Sequence, residues 1–137
     1  MEWIFLLHVF FTFYMTGVIW FVQIVHYPLM AKVSSDHFKS YEQSHTMLTT
    51  WVVGPQMIIE LASGIFLLWQ NGNDAWYWTN IALLAVIWSS TFFIQMPLHG
   101  RLSEGFQEKL QQQLVQSNWL RTVAWTVRSA ILVWLML

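Results

Sequence analysis

The chain is predicted to be an all-α polytopic membrane protein, an antiparallel bundle of four transmembrane helices with amphipathic connecting helices. Three observations lead there. Of its 137 residues 56% are hydrophobic and only 9% charged, whereas charged residues make up about a quarter of a soluble domain. Four stretches, residues 3–25, 47–69, 76–96 and 119–137, come near the roughly 20 helical residues that a hydrocarbon core of about 30 Å requires. Each also contains polar residues spaced three or four apart, the mark of one face turned toward neighbouring helices rather than lipid. Residues 1–137 are read as a single domain.

The first stretch is apolar from Trp3 onward and lacks the basic start and small-residue cleavage site of a signal peptide, so it reads as a retained helix. Residues 35–46, polar with sparse apolar residues, form a connection to the second. Asn71-Gly72-Asn73-Asp74 is turn chemistry and makes the second and third stretches a helical hairpin. In residues 101–116, Leu102, Phe106, Leu110 and Leu114 recur every fourth position, predicting an amphipathic helix at the interface or against the bundle end. Both long connections carry cations, Lys32 and Lys39 in one, Arg101 and Lys109 in the other, while the opposite side has Glu2 and Asp74. The positive-inside rule then puts both termini outside an inner or plasma membrane, and boundary tryptophans on both sides fit that frame. A weak internal repeat is visible where the first and third stretches each approach a proline after a glutamine, Gln23 to Pro28 and Gln95 to Pro97.

Several functions are excluded. A net charge of −1 without any Lys/Arg run gives no electrostatic case for nucleic acid, which is not expected as a partner. The lack of cysteine removes disulfides, thiolate metal sites and Cys-x-x-Cys redox chemistry. The partners expected are the lipid bilayer and an apolar small molecule, with room for a homodimer.

Helical spacing sorts the buried polar residues. His8, Thr12, Thr16, Gln23 and His26 share one face of the first helix; His45, Thr49, Gln56 and Glu60 one of the second; Asn80, Thr91, Gln95 and His99 one of the third; Asn118, Arg121, Trp125 and Arg128 one of the fourth. Glu60 and Arg128 both fall near mid-membrane depth, where an uncompensated charge costs about 2.5–3.5 kcal/mol, so they are expected to pair. Nearer the inner surface, Gln23, His26, His45, Gln95, His99, Asn118 and Arg121 should converge, each lying at the inner end of its helix. His26, His45 and His99 are candidate ligands for a metal ion; His8, about 27 Å further along its helix, is a candidate axial ligand for haem. A site free of any cofactor is the third option. Arg121 and Arg128 beside Trp125 suit an acidic or carbonyl-bearing ligand, with Trp88 and Trp125 as flat walls.

The run Gln95-Met96-Pro97-Leu98-His99-x-x-Leu102, followed by Ser117-Asn118-Trp119-Leu120-Arg121-Thr122, resembles elements of small four-helix membrane proteins related to anthrone oxygenases. His26-Tyr27-Pro28-Leu29 is similar to that group's first-helix ending, and His99 stands where the group has asparagine. The resemblance implies a membrane oxygenase or related redox protein acting on an apolar polycyclic phenolic substrate. A weaker likeness, Trp3 and His8 with Gly17 later in the helix, is to membrane haem-containing protoporphyrinogen oxidases, and implies His8 as haem ligand. The expected function is therefore an oxygenase-like oxidoreductase on an apolar cyclic or aromatic substrate. His26, His45, His99 and Arg121 are the candidate catalytic residues, and Gln23, Gln95, Asn118, Arg128, Glu60, Trp88 and Trp125 the substrate-binding ones. The alternative is a non-catalytic membrane subunit or small-molecule-binding protein.

Overall fold

The computed structural model describes residues 2–137, with side chains from Trp3 onward, and within them the chain is all-helical. The helices are α1 (Glu2–Phe21), α2 (Tyr27–Met30), α3 (Ser35–Asn71), α4 (Ala75–Ser90), α5 (Met96–Leu102) and α6 (Glu108–Met136). Three helical stretches, Trp3–Met30, Ser35–Asn71 and Ala75–Leu102, are long and apolar enough to cross a membrane. α6 has the length, but carries Arg121 and Arg128 in its midst. α1 packs against α3 and α6, and α4 against the same two, so the four rods enclose one interior.

Two of the rods contain π-helical segments, Val22–His26 between α1 and α2 and Thr91–Gln95 between α4 and α5. Tyr27 N–H reaches back to the Val22 carbonyl, and Met96 N–H to that of Thr91. Each segment ends two residues before a proline, Pro28 or Pro97. Proline lacks the N–H and its ring collides with the carbonyl one turn back; a widened turn at that point relieves the collision. The glutamine-to-proline repeat seen in the sequence is thus a repeat of backbone geometry.

The connections differ from expectation. Residues 35–46 are the opening turns of a 37-residue α3, and the last part of 101–116 is the start of the 29-residue α6. No helix breaker separates these polar turns from the apolar ones, and Glu, Gln, Lys and Leu propagate helix well, so helix simply continues past the apolar part. Between α5 and α6 the chain turns at Gly105, whose φ of 153° is a conformation other residues seldom adopt. Residues 101–116 are not the single amphipathic helix expected, since Leu102 ends α5, Phe106 lies in the loop and Leu110 and Leu114 belong to α6; the four still meet, Leu102, Leu110 and Leu114 being buried with Tyr27, Met30 and Phe38, and Phe106 packing on them. This cluster closes one end of the molecule. A second core, Met15, Ile19, Met57, Ile87, Ala124 and Trp125, fills the middle.

Candidate functional site

Buried polar residues collect in two places. The first surrounds Arg128, which is fully buried. Its Nη1 lies 2.5 Å from Glu60 Oε1, and its Nε and Nη2 donate to Asn80 Oδ1 at 3.1 and 3.0 Å. Trp125 Nε1 donates to both Glu60 oxygens at 3.2 Å. Ser63 Oγ already donates to the Ile59 carbonyl at 2.8 Å, so its contact with His8 Nδ1, also 2.8 Å, must be an N–H donation from the ring. His8 Nε2 then accepts from Arg128 Nη2 at 3.3 Å. Asn80 Oδ1, 3.4 Å from that nitrogen, is a second acceptor serving the same guanidinium. A buried charge needs a counter-charge and filled hydrogen bonds, and here it has both.

The expected Glu60–Arg128 pair is therefore present. His8 is 2% exposed with both ring nitrogens engaged, and Gly64 lies so close that an added Cβ would meet its Cε1 at 3.0 Å. The polar atoms of Glu60 and Arg128 are turned on each other and on Asn80.

The second collection lies toward the end closed by Tyr27 and Phe38, and borders a cavity of about 530 Å³. That volume is in the range of small-molecule sites, which are mostly apolar with few convergent polar groups. Met15, Ile19, Val53 and Met57 supply apolar wall, Trp88 and Trp125 flat aromatic wall. The rim lies between α3 and α4–α5, where Ile58, Phe92 and Met96 are all exposed apolar side chains.

Arg121 is the cation on this wall, 9% exposed. Its Nε and Nη2 donate to Asn118 Oδ1 at 3.0 and 2.5 Å, and its Nη1 to Thr91 Oγ1 at 3.2 Å. Asn118 is braced in turn by Gln23, whose Oε1 accepts from its Nδ2 at 2.7 Å, and Gln23 Nε2 donates to the Val115 carbonyl at 3.2 Å. All of these partners are neutral. The two ion pairs among the described residues are His99–Glu42 and Arg128–Glu60, so Arg121 lacks a counter-ion, and a guanidinium has five N–H groups, of which three are used here. Trp88 Nε1 is a further buried donor without a partner on the same wall.

Across the end closed by Tyr27 and Phe38 runs a chain of proton-carrying groups. Glu42 Oε1 is 2.5 Å from His99 Nδ1, the two sharing one hydrogen bond. Tyr27 Oη is 3.3 Å from His99 Nε2 and 3.4 Å from Gln95 Oε1, so its one proton has two acceptors. Gln95 Nε2 donates to Ser117 Oγ at 2.8 Å. A carboxylate that fixes one face of an imidazole leaves the other oriented for proton exchange. Tyr27, Gln95, His99, His45 and Arg121 all line the cavity.

The three inner histidines do gather, though not around a point. The His26 and His45 rings stack with centroids 4.1 Å apart and planes at 23°, and the His45 and His99 centroids are 5.6 Å apart. Stacked rings direct their nitrogens sideways. His45 Nδ1 is 3.1 Å from Thr49 Oγ1, and both His99 nitrogens are engaged. Among the described residues no group of three or more His, Asp or Glu side chains is arranged to hold a metal ion. Gln23, Asn118 and His26 stand behind the wall as supports, while His45, Gln95, His99, Arg121, Trp88 and Trp125 face the cavity.

Glu42 and Tyr27 were missed as site residues. Glu42 lies in the polar stretch read as a connection, yet it is 18 residues, five helical turns, before Glu60 and so on the same face of one continuous helix. The signal was there once helix was assumed. Compared with family models, curated proteins and solved structures, the chain has no match.

Proposed function

We propose that the chain is an antiparallel bundle of four membrane spans, α1–α2, α3, α4–α5 and α6, with both termini outside. In this reading it acts as an oxygenase-like oxidoreductase on an apolar cyclic or aromatic molecule taken laterally from the bilayer. α6 qualifies as the fourth span because its two arginines are buried among the other helices, where they meet no lipid. The observation that carries the functional reading is Arg121, a buried cation without a counter-ion on the wall of a cavity whose rim is apolar and exposed.

Such a guanidinium favours an oxygen that becomes negative during reaction, because its donors are already oriented and desolvated. In this scheme the substrate oxygen takes the two unused N–H groups of Arg121, with Trp88 Nε1 as a third donor nearby. The substrate's proton passes to His99, directly or through the Tyr27 hydroxyl, and Glu42 stabilises the imidazolium that results. The electron pair left on the substrate then passes one electron at a time to dioxygen, itself soluble in hydrocarbon; a carbon–oxygen bond forms, and the O–O bond of the resulting hydroperoxide breaks as water leaves and the new carbonyl forms. The likeness to relatives of anthrone oxygenases agrees with this reading.

The test is dioxygen uptake by the protein in lipid nanodiscs with anthrone as probe. Uptake above that of empty nanodiscs is expected, abolished in Arg121→Ala and reduced at least tenfold in Glu42→Gln, with both variants retaining helical circular dichroism and a monodisperse profile. Anthrone that binds without any uptake would replace the enzyme by a non-catalytic binding subunit. Uptake unchanged in Arg121→Ala would remove the assigned site.

A further inference from the structure

A second cavity, of about 410 Å³, lies on the outside of the molecule between α5 and α6, and shares no residue with the first. One end is polar. Arg101 is exposed and makes no ion pair among the described residues, Glu104 one turn on included. Gln113 and Gln116, one turn apart on α6, bring two carboxamides to the same groove. The other end is apolar, with Phe93, Ile94, Pro97 and Leu98. Phe93, 80% exposed, stands about 12 Å along the helix axis from Arg101.

We propose that this groove binds one anionic phospholipid. Its Arg101 end lies at the level of the cation-bearing connections, where a headgroup phosphate would be met; its Phe93 end is apolar and exposed, as an acyl chain requires. Arginine and amide N–H donors suit phosphate oxygens, and basic pockets between spanning helices are suited to anionic headgroups. A soluble phosphate would use the polar half alone and leave the apolar half unexplained. The groove's floor is Ser117, whose Oγ accepts from Gln95 Nε2 at 2.8 Å, and Gln95 is wall of the inner cavity. A lipid here would therefore press α5 onto α6 beside the Ser117–Gln95 hydrogen bond, whose two members line the two spaces. The inference depends on the membrane reading but not on any chemistry in the inner cavity.

The experiment is native mass spectrometry of the protein released from nanodiscs holding equal amounts of phosphatidylglycerol and phosphatidylcholine. One retained phosphatidylglycerol is expected, in preference to phosphatidylcholine, with the preference falling about fivefold in Arg101→Gln, as loss of one surface cation implies. Lys109→Gln, outside the groove, should leave it unchanged. Equal retention of the two lipids, a preference that survives Arg101→Gln, or a lipid-free dimer occupying the groove would each overturn the proposal. So would retention of sn-glycerol 3-phosphate as strong as that of the lipid, which would make this a phosphate site only.

Discussion

Arg128 and Arg121 stand about two turns apart on the same helix, both buried, and are held in opposite ways. Arg128 has a carboxylate, an asparagine and a histidine, and its partners are in turn tied to Trp125 and Ser63. Arg121 has an asparagine and a threonine, and an open space beside it. The same side chain is thus a closed structural joint in one place and an unfilled donor in the other. The difference is the presence of a carboxylate on the facing turn: Glu60 for Arg128, and for Arg121 only the neutral Thr91 side of α4–α5. Burial alone does not distinguish a site from a brace; the balance of charge around the buried group does.

Removing the carboxylate from the closed joint should have the largest effect. Glu60→Ala is expected to cost about 3–5 kcal/mol, the penalty for stranding a buried charge, read as the unfolding free energy in mixed micelles. Glu60→Gln combined with Arg128→Gln should lose less than Glu60→Ala does. Next comes Gly64→Ala, whose new methyl would meet His8 Cε1 at 3.0 Å and Ile81 Cδ1 at 3.3 Å; about 1–3 kcal/mol is expected for such overpacking, by the same assay. Ser63→Ala should cost about 1 kcal/mol, the net worth of a hydrogen bond, and shift the ring ¹⁵N signals of His8, which in the native chain should report the Nδ1–H form. The smallest change in stability is expected at the open arginine. In Arg121→Met the lost hydrogen bonds are offset by relief of an uncompensated charge, so unfolding should move by less than about 1 kcal/mol while ligand binding falls at least tenfold. An unfolding loss as large as that of Glu60→Ala would erase the distinction between the two arginines.

Depth and periodicity were enough to pair Glu60 with Arg128 and to gather the inner polar residues, because both follow from helical geometry and the cost of charge in lipid. They were not enough to say which members of a stripe face a cavity. Gln23 and Asn118 share faces with His8 and Arg121, yet they brace the wall from behind; that depends on how far apart the rods stand, which no single helix records. Glu42 escaped notice because polar composition was taken as the end of a helix, when it marks only where the helix leaves the apolar zone. The stacking of His26 on His45 was equally out of reach, since it depends on side-chain rotation about two different helices.

The two π segments bear on which face each rod presents. A π turn holds one residue more than an α turn, so it lets a helix gain a residue without rotating the succeeding side chains by the usual 100°. In the first rod the buried positions run His8, Val9, Thr12, Met15, Ile19, Gln23, Tyr27 and Met30; in the third, Asn80, Leu84, Ile87, Ser90, Gln95 and Leu102. Beyond each bulge the inward face stays in phase, and Tyr27 and Gln95 reach the cavity rather than lipid. Deleting a lipid-facing residue inside a bulge, Ile24 or Ile94, should return that turn to ordinary α-helix with the inward face preserved. The same deletion one or two turns earlier would swing every later side chain off the cavity.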